Sequence, residues 1–541
     1  MKEKTKTHCS RSTNIAEMID RLAETQPDSW AVMIPRRDLF RRLSYEKIPF
    51  SRLNQDIDRV IVNLSAAGVC YGSRILMMLK PSYEFICVFF SLLRLGAVPI
   101  LIDPGIGPWT FFSCAKHSRP EFVIGEKFAL MMLKFYRLPG IRSLLPKSKL
   151  FAKSLPSEVP KPAIIDPDAI AAVLFTSGST GIPKGVVYRH RHFLAQLNIL
   201  KNLYKIGEKE VDLTLLPVFM LFNPVLGRAT VLPEIDPSSP AKLDPKKFVQ
   251  AAITVKATSS FASPILWKKI ARYCHIRGIT LDDFRFIFLA GVSAGAATVK
   301  MIKKIAPNAE IHTPYGATEA LPICDLEADE IISVADLESC GAGVCVGYPV
   351  DGVNVKVIKS VDTRVPLMES DMVLPTGHVG EIIVSGGAVT EEYDDLELET
   401  SMAKIYDVTV TWHRTGDLGF FDQRGRLWFC GRKSERVEVG DEIYYPECVE
   451  PLFMQHSAVE RVALIKCKNY TTITPAIAVL PKHGFFPRFF WQRRKFSMEL
   501  RSIASKYPKT KKINKFFFCK AFPVDVRHNS KINRVLLSKI R

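Results

Sequence analysis

The chain of 541 residues is too long for a single hydrophobic core, so its length predicts two or more domains. Its apolar fraction of 47% and charged fraction of 24% are those of a globular protein and exclude a disordered or coiled-coil chain. The net charge of +19 attracts nucleotides, anionic lipid and nucleic acid alike, so charge alone does not identify a ligand.

Strands and helices alternate through the first part of the chain. Strands separated by helices indicate parallel sheets with crossover connections. A hairpin is predicted at residues 30–34 and 42–45, a helix at 83–95, and strands at 74–79, 98–102, 211–216, 252–260 and 286–290.

The apolar run at residues 85–102 approaches the length of a membrane span. It contains Arg94, Gly96 and Pro99, so it fits a helix followed by a buried strand better. The basic N-terminus is not followed by an apolar segment and is not typical of a secretory signal. We therefore expect a cytoplasmic protein, and peripheral contact with the inner face of the membrane stays open.

Residues 175–187 form a segment rich in glycine and hydroxyl side chains that follows a short apolar run. Glycines let backbone N–H groups approach an anion, hydroxyl groups add donors, and Lys184 adds a positive charge. The spacing is not that of a Walker loop. A flexible surface turn is the alternative, but it accounts for neither the lysine nor the flanking apolar runs. The predicted phosphate-binding residues are Thr176, Ser177, Gly178, Ser179, Thr180, Gly181 and Lys184.

The pattern changes in the second part of the chain. Short β runs with Gly and Pro turns between residues 344 and 389 indicate a β-rich unit. After a charged break at residues 431–434, strands at 459–466 and 476–480 with helical stretches indicate a small α+β tail.

Four further motifs follow the phosphate loop in order: residues 315–319 (Tyr-Gly-Ala-Thr-Glu), 412–419 (Trp-His-Arg-Thr-Gly-Asp-Leu-Gly), 431–434 (Gly-Arg-Lys-Ser) and Lys531. Each motif alone would be an ordinary turn or a solvated charge. Together they resemble, in order and spacing, the motifs of the adenylate-forming superfamily, which contains acyl-CoA synthetases, luciferases and peptide-synthetase adenylation domains. The resemblance covers nearly the whole chain.

The resemblance implies an α/β fold in two domains. Residues 1–430 would form a large adenylation domain of two doubly wound sheets plus a distorted β-barrel-like subdomain. Residues 431–434 would be the hinge, with Ser434 where most members carry Asp or Lys. Residues 435–541 would form a small mobile α+β lid that carries the catalytic lysine.

The resemblance also implies a nucleotide site that uses ATP and Mg²⁺. A hard oxygen ligand suits Mg²⁺, and a carboxylate suits two ribose hydroxyl groups. The implied roles are adenine binding by Tyr315, Gly316 and Ala317; α-phosphate binding by Thr318; Mg²⁺ binding by Glu319; ribose binding by Asp417 and Arg432; and stabilisation of the transition state by Lys531. The catalytic set would be Lys531, Thr318 and Glu319.

Residues 96–105, 314–322, 427–434 and 526–532 resemble one branch more closely, the β-lactone synthetases of bacterial olefin biosynthesis, often labelled fatty-acid CoA ligases. That branch implies a medium- or long-chain β-hydroxy fatty acid whose own hydroxyl displaces AMP and closes a β-lactone without CoA. Ser434 is compatible with this route. The alternatives are a fatty acyl-CoA ligase that uses CoA and, in another class, a basic module that binds nucleic acid or lipid surfaces without catalysis.

An acyl chain needs an apolar concavity, for which Phe219, Phe222, Phe261, Gly291 and Gly295 are the candidates, although each aromatic could equally be plain core. The basic aromatic stretches at residues 128–149 and 485–496 suggest a surface that rests on anionic lipid, and a solvated face is an equal alternative. No module that reads nucleic acid is recognisable, so no nucleic-acid partner is expected. Partner enzymes of a lipid pathway would fit the resemblance.

Overall fold

The structure is a computed structural model that describes residues 14–38, 40, 43–136, 138–152, 164–176, 183–207, 209–234, 242–469, 472–523 and 532–539. The chain divides into two compact units. The first unit comprises Met1–Thr176, Lys184–Pro233 and Tyr393–Asp395, and the second comprises Ser177–Pro183, Glu234–Glu392 and Leu396–Arg541.

The first unit alternates strands and helices. Its strands are β1 (Trp30–Arg37), β2 (Leu43–Pro49), β3 (Arg74–Met78), β4 (Val98–Leu101), β5 (Phe122–Gly125), β6 (Ser143–Pro146), β7 (Ile170–Phe175), β8 (Gly185–Arg189), β9 (Val211–Asp212) and β10 (Ala229–Val231). Its helices are α1 (Glu17–Thr25), α2 (Phe50–Ala66), α3 (Tyr83–Arg94), α4 (Pro108–His117), α5 (Lys127–Tyr136), α6 (Lys147–Leu150), α7 (His190–Tyr204) and α8 (Phe222–Val225).

Two groups of strands organise this unit. One sheet has the order β6-β5-β3-β4-β7-β8 and is parallel except for β8, which pairs antiparallel to β7. In the other group, β9, β10 and β1 are parallel neighbours, and β2 completes the hairpin with β1 that the sequence predicts. The phosphate-loop segment therefore connects two antiparallel strands.

The apolar run at residues 85–102 is a buried helix followed by strand β4, as predicted. Arg94 lies in this helix and is only 3% exposed. Its guanidinium pairs with the carboxylates of Asp20 at 2.6 Å and Asp58 at 2.7 Å, so the buried charge is compensated. In the described parts of the chain, no helix combines the length and the apolar character needed to cross a membrane.

The second unit carries the remaining elements. Its strands are β11 (Ser259–Ala262), β12 (Phe286–Leu289), β13 (Glu310–His312), β14 (Tyr315–Ala317), β15 (Ala320–Asp325), β16 (Val344–Pro349), β17 (Val353–Ile358), β18 (Gly380–Gly386), β19 (Lys404–Tyr406), β20 (Thr411–Phe421), β21 (Leu427–Arg432), β22 (Val437–Val439), β23 (Glu442–Tyr444), β24 (Val459–Asn469), β25 (Thr472–Pro481) and β26 (Lys515–Phe518). Its helices are α9 (Pro245–Val255), α10 (Pro264–Arg277), α11 (Ala296–Ile305), α12 (Ala328–Ser333), α13 (Ala335–Ser339), α14 (Glu397–Ala403), α15 (Pro446–Met454), α16 (Phe490–Ser505) and α17 (Arg534–Lys539).

The strands of this unit form a parallel group, an antiparallel sheet, an antiparallel pair of β22 and β23, and a small terminal sheet. Strands β11, β12 and β13 are parallel neighbours. The antiparallel sheet has the order β14-β15-β16-β21-β20-β18-β17, and β19 pairs with β20. Near the C-terminus, β24 and β25 are antiparallel and β26 runs parallel to β25.

The predicted strands at residues 211–216 and 252–260 are partly wrong. Strand β9 ends at Asp212. Helix α9 continues to Val255, and β11 begins only at Ser259. Pro245 at the first helical position and the Asp244 side chain, which accepts from the Lys246 N–H, start a helix that buries Phe248 and other apolar residues on one face. This helical face overrides the local β-branched character of residues 253–255.

Candidate active site

The motif at residues 315–319 forms the hairpin of β14 and β15. Tyr315 pairs with Cys324 across the hairpin, and Ala317 pairs with Ala320. A Cβ atom on Gly316 would lie 2.6 Å from the Ala320 carbonyl oxygen, so only glycine fits there. The turn then presents Thr318 and Glu319, and the Glu319 carbonyl accepts hydrogen bonds from the N–H and hydroxyl of Thr390 at 2.9 and 3.2 Å.

The motif at residues 412–419 lies on β20 and aims a carboxylate at that hairpin. Gly416 has a φ of +70°, which interrupts the regular pleat. The Thr415 hydroxyl donates to the Ile382 carbonyl at 2.8 Å and accepts from the Asp417 N–H at 3.1 Å. These bonds fix the direction of Asp417, whose exposed fraction is 4%.

Two predicted nucleotide-binding residues, Tyr315 and Arg432, contact the carboxylate of a third, Asp417. The Tyr315 hydroxyl donates to Oδ2 at 2.6 Å, and the Arg432 guanidinium lies 2.9 Å from Oδ1 across the β20–β21 pair. Burial and the adjacent Asp417 carboxylate raise the pKa of Tyr315 well above its usual value. The Asp417 carboxylate likewise raises the pKa of Arg432. The raised pKa keeps the Tyr315 phenol neutral, beside the ion pair of Asp417 and Arg432.

This cluster can recognise a polyol and an aromatic ring. Asp417 offers a carboxylate acceptor whose direction is fixed by the Tyr315 hydroxyl and the Arg432 guanidinium, and a carboxylate suits the hydroxyl groups of a polyol. The Tyr315 ring lies 6.2 Å from the Phe429 ring and presents a flat aromatic surface. Such an arrangement suits a ribose and the base attached to it.

A buried lysine, Lys404, completes the surroundings of Glu319. It stands at the start of β19, is 1% exposed, and its ammonium group donates to the Thr390 carbonyl oxygen. Burial lowers the pKa of Lys404 to about 7, against the opposing influence of the carboxylates of Glu319, Glu391 and Glu392. Sequence reasoning missed this residue, because nothing local to Lys404 distinguishes it from a solvated lysine.

Arg414, in the same motif as Asp417, has a structural position. Its guanidinium bonds to the buried Glu381 carboxylate at 2.6 Å and to the Thr363 carbonyl oxygen at 2.8 Å. Both members of the ion pair are at most 4% exposed. Arg414 thus ties β20 to β18 and to the segment after β17.

The two ends of the phosphate loop, Thr176 and Lys184, are hydrogen-bonded to each other. The Thr176 N–H donates to the Lys184 carbonyl at 3.0 Å, and the Lys184 N–H donates to the Thr176 hydroxyl at 3.2 Å. The Lys184 ammonium lies 4.8 Å from the centre of the Tyr393 ring, a cation–π contact. The other predicted loop residues, Ser177, Gly178, Ser179, Thr180 and Gly181, and the predicted catalytic Lys531, lie outside the described residues.

The predicted hinge follows directly from strand β21, which continues through Arg432. Ser434 is exposed in a 3-10 turn that spans Lys433–Glu435. The Lys433 ammonium bonds to the Glu381 carboxylate at 3.1 Å, and the Arg436 guanidinium pairs with Asp362 at 3.2 Å. Arg436 and Asp362 lie on opposite sides of Ser434 in the sequence. A rotation about Ser434 would therefore break their ion pair unless the segment with Asp362 moved together with Arg436.

The predicted pocket residues lie in both units. In the first unit the rings of Phe219 and Phe222 are 6.2 Å apart. In the second unit Phe261, on β11, stacks at 5.8 Å on the ring of Phe288. Gly291 and Gly295 are exposed and precede α11. The assignment of these residues to an acid pocket stays a prediction.

Comparison with known proteins places this geometry in a family. A family model described as AMP-binding enzyme matches residues 19–394. The chain belongs to the AMP-binding enzyme family. The resemblance to adenylate-forming enzymes that the motifs indicate is thereby confirmed.

Within the AMP-binding enzymes, the chain is similar to two bacterial olefin beta-lactone synthetases. It is 35% identical to the one from Xanthomonas campestris pv. campestris, with 97% of each chain covered. It is also 35% identical to the one from Stenotrophomonas maltophilia, with 98% of each chain covered. Similarity to the long-chain-fatty-acid–CoA ligase of Thermus thermophilus is lower, at 23% identity over 84% of this chain and 85% of that protein.

A solved AMP-binding enzyme supports the architecture. The O-succinylbenzoate coenzyme A synthetase of Bacillus subtilis in complex with AMP superposes with a TM-score of 0.78, at 18% identity, with 97% of this chain and 98% of that chain covered. This likeness concerns the fold, and the predicted α/β fold class is confirmed.

Proposed function

We propose that this AMP-binding enzyme uses ATP to convert a medium- or long-chain β-hydroxy fatty acid into an acyl-adenylate, and then closes the acyl group to a β-lactone. The first step releases pyrophosphate and the second releases AMP. The observation that carries the proposal is the 35% identity to an olefin beta-lactone synthetase across 97% of the chain.

The Asp417 cluster would hold the nucleoside part of ATP. Its carboxylate would accept the ribose hydroxyls, with Arg432 at 2.9 Å holding the carboxylate in place. Tyr315, Gly316 and Ala317 would provide the surface for the adenine, and Thr318 would donate to the α-phosphate. The loop from Thr176 to Lys184 would hold the β- and γ-phosphates, which leave as pyrophosphate.

The residues present fit Mg²⁺ only together with a nucleotide. Glu319 offers one hard carboxylate oxygen ligand, and in the described part of the chain no three His, Cys, Asp or Glu side chains form a metal-binding group. Glu319 would therefore share the cation with phosphate oxygens and water. When bound, the cation would neutralise charge on the phosphates.

Lys531 would act in the first step. Its ammonium group would lie between the attacking carboxylate and the α-phosphate and stabilise the charge that develops there. The apolar chain of the acid would lie against Phe219, Phe222, Phe261, Gly291 and Gly295.

The second step needs orientation more than additional functional groups. The β-hydroxyl oxygen would attack the acyl carbon, the bond from that carbon to the AMP oxygen would break, and the hydroxyl proton would pass to solvent or to the departing phosphate. Because nucleophile and acyl carbon belong to one molecule, holding the chain folded replaces a second substrate. CoA is not required.

A fatty acyl-CoA ligase is the second candidate, favoured by the similarity to the Thermus thermophilus ligase over 84% of the chain. In that case CoA would attack the same adenylate and a thioester would form. Partner enzymes of a lipid pathway that supply the β-hydroxy acid and consume the lactone belong to the first candidate.

Product analysis distinguishes these candidates. The purified protein is incubated with ATP, Mg²⁺ and a long-chain β-hydroxy acid, with and without CoA, and products are identified by mass spectrometry. We expect a lactone in both samples. A matched acid without the β-hydroxyl should support ATP–pyrophosphate exchange but give no lactone.

Two results would contradict the proposal. A thioester formed only with CoA would assign the protein to the ligase class. Absence of ATP–pyrophosphate exchange with every acid of a broad panel, together with retention of an oligonucleotide at physiological salt, would favour the binding module without catalysis.

A further inference from the structure

Helix α16 has two faces of different character. Phe496, Leu500 and Ala504 follow one another at intervals of four residues and are buried. The opposite face carries Phe490, Trp491, Arg494, Lys495 and Met498, and all five are exposed. An amphipathic helix normally exposes only polar residues on this side, so the exposed apolar residues are unusual.

Several of the exposed apolar residues are large. Phe490 is 77% exposed and Trp491 is 66% exposed. The segment just before the helix adds Phe485 and Phe489, both more than half exposed. The Phe489 and Trp491 rings stack with their centres 4.7 Å apart and their planes 3° from parallel, so the aromatic surface is a preformed feature of the helix start. A cluster of this kind marks an interaction site.

The charge of the same stretch has one sign. Residues 482–498 contain Lys482, Arg488, Arg493, Arg494 and Lys495 and no acidic residue. Arg494 stands four residues after Phe490, and Lys495 four residues after Trp491, so a turn with exposed aromatic rings is followed on the same face by a turn with cations. The first acidic residue that follows, Glu499, pairs with His456 at 3.2 Å.

Aromatic rings and basic side chains on one surface match one partner better than others. Tryptophan and phenylalanine prefer the boundary between lipid headgroups and acyl chains, and lysine and arginine side chains above them meet anionic phosphate groups. A single-stranded nucleic acid would use the cations and stack its bases on aromatic faces, but the Phe489 and Trp491 rings already stack face to face on each other. A protein partner would leave the single sign of the charge unexplained unless its own surface were acidic.

We propose that the segment from Phe485 to Met498 is a peripheral membrane-binding surface that docks the protein on an anionic phospholipid bilayer. The aromatic rings of Phe485, Phe489, Phe490 and Trp491 enter the interface, and the basic residues hold the headgroups. Binding is reversible and depends on both the insertion of the rings and the attraction of the basic residues to the headgroups, because neither contribution alone anchors a protein.

The test uses the full-length protein and vesicles in a co-sedimentation assay. Vesicles of phosphatidylcholine alone are compared with vesicles that also contain phosphatidylglycerol, at low and at physiological salt. We expect binding to the anionic vesicles that weakens with salt, and little binding to the neutral vesicles.

Two double variants separate the contribution of the aromatic rings from that of the basic residues. F490S/W491S should reduce partitioning into anionic vesicles at least about tenfold, because two exposed rings no longer enter the interface. R494Q/K495Q should reduce it about fivefold for each charge, most strongly at low salt. The matched control is Leu398→Ser on α14, a residue 71% exposed at a distant point of the sequence, which should bind like the wild type. ATP–pyrophosphate exchange with a water-soluble acid should be equal in all four proteins and checks their folding.

Several outcomes would overturn the proposal. One is a wild-type protein that remains in the supernatant with both kinds of vesicle. Another is an F490S/W491S variant that sediments with anionic vesicles as strongly as the wild type. Oligonucleotide binding that needs Arg494 but not Trp491, without vesicle binding, would assign the surface to nucleic acid. A protein dimer that dissociates in F490S/W491S, without vesicle binding, would assign it to a protein interface.

Discussion

A single carboxylate, Asp417, links two separate segments of the chain at the residue scale. Its two oxygens face Tyr315 at 2.6 Å and Arg432 at 2.9 Å, although Tyr315 stands 102 positions earlier in the sequence. Because the carboxylate is buried, its bonds are not weakened by competing water. The buried aspartate therefore joins the hairpin of Tyr315 to strand β21.

Replacement of Asp417 by Asn keeps the shape of the side chain and removes its charge. We expect the affinity for ATP to fall by about 2 kcal/mol, on the order of 30-fold, because charge-assisted hydrogen bonds are lost. Isothermal titration with ATP measures this change. Tyr315→Phe is the matched control, since it removes one neutral donor from Asp417, and its effect should be about 1 kcal/mol. Wild-type affinity in Asp417→Asn would contradict the ribose assignment.

Lys404 predicts a pH dependence of stability. The folded-state pKa of Lys404 is about 7, whereas an unfolded lysine has a value near 10.5. Between these values the unfolded chain holds a proton that the folded chain lacks, so this residue makes stability rise with pH, by about 1.4 kcal/mol per pH unit at most. Lys404→Met should flatten that rise, measured as the denaturant midpoint between pH 7 and 10 without nucleotide or metal.

The exposed Lys506 supplies the control for this measurement. Lys506→Met should follow the wild-type pH dependence throughout. Parallel curves for the wild type and Lys404→Met would show that Lys404 titrates as an ordinary lysine in the folded protein.

At the scale of elements, the antiparallel sheet depends on close approaches between strands. Strand β16 lies between β15 and β21. Strand β15 begins directly after Glu319, and β21 ends at Arg432. The register of β16 against β21 shifts between Cys345 and Gly347. At that point a Cβ atom on Gly347 would lie 1.9 Å from the Asp325 carbonyl oxygen, so β15 and β16 meet only because this residue is glycine.

Two glycines with nearly the same backbone conformation allow this idea to be tested. Gly347 has a φ of +90° and Gly377 a φ of +85°, but a Cβ atom on Gly377 would meet nothing within 4 Å. Gly377→Ala should cost roughly 1–2 kcal/mol from the backbone conformation alone. Gly347→Ala should cost at least about 2 kcal/mol more, because β15 must move. Denaturant unfolding compares the two, and equal losses would refute the role of the close approach.

At the scale of the whole molecule, two segments that carry predicted functional residues each lie between described residues that are hydrogen-bonded to each other. One contains most of the predicted phosphate-binding residues, and the other contains the predicted catalytic Lys531. The Thr176 and Lys184 backbones bond at 3.0 Å on either side of the phosphate loop. The Asn533 N–H donates to the Pro523 carbonyl at 2.8 Å on either side of the segment that contains Lys531. Arg534 pairs with Glu450 at 2.6 Å and holds the start of α17. The described residues at the two ends of each segment are therefore held at a fixed distance from each other.

Lys531→Ala should reduce ATP–pyrophosphate exchange by about a hundredfold or more, because a charge that stabilises the transition state is lost. The affinity for ATP should change little, since the proposed contacts with the nucleoside are made by Tyr315, Asp417 and Arg432. Exchange assays and titration with ATP measure the two effects. Lys511→Ala, which removes an exposed lysine from the same C-terminal region, should leave both unchanged. Full exchange in Lys531→Ala would contradict the role of the tail lysine.

The sequence predicted most of the fold, because hydrophobic periodicity and turn residues are local signals. The hairpin of β1 and β2, helix α3 and the strands β17 and β18 all appear where they were expected. It failed at residues 252–255, where the face that α9 buries decides the structure. Ordered motifs also located Asp417 and Arg432, which the structure joins, although roles for these residues remain predictions.

What the sequence could not reveal are the interactions between distant segments. Lys404 looks like any surface lysine until β19 buries it beside Thr390 and the acidic residues near it. Arg414 stands in the same motif as Asp417, yet it belongs to a buried ion pair with Glu381. Both outcomes depend on tertiary burial, which local patterns do not encode.

The burial of Lys404 also constrains how relatives of this chain can diverge. Below pH 7, where Lys404 is protonated, a neutral residue at position 404 would leave Glu319, Glu391 and Glu392 without the buried cation that opposes their charges. If Glu319 is kept as a ligand for Mg²⁺, the repulsion among the three carboxylates can be lowered only by replacing Glu391 or Glu392. An alignment of relatives should therefore show position 404 and position 391 or 392 losing their charges together, as a co-varying set.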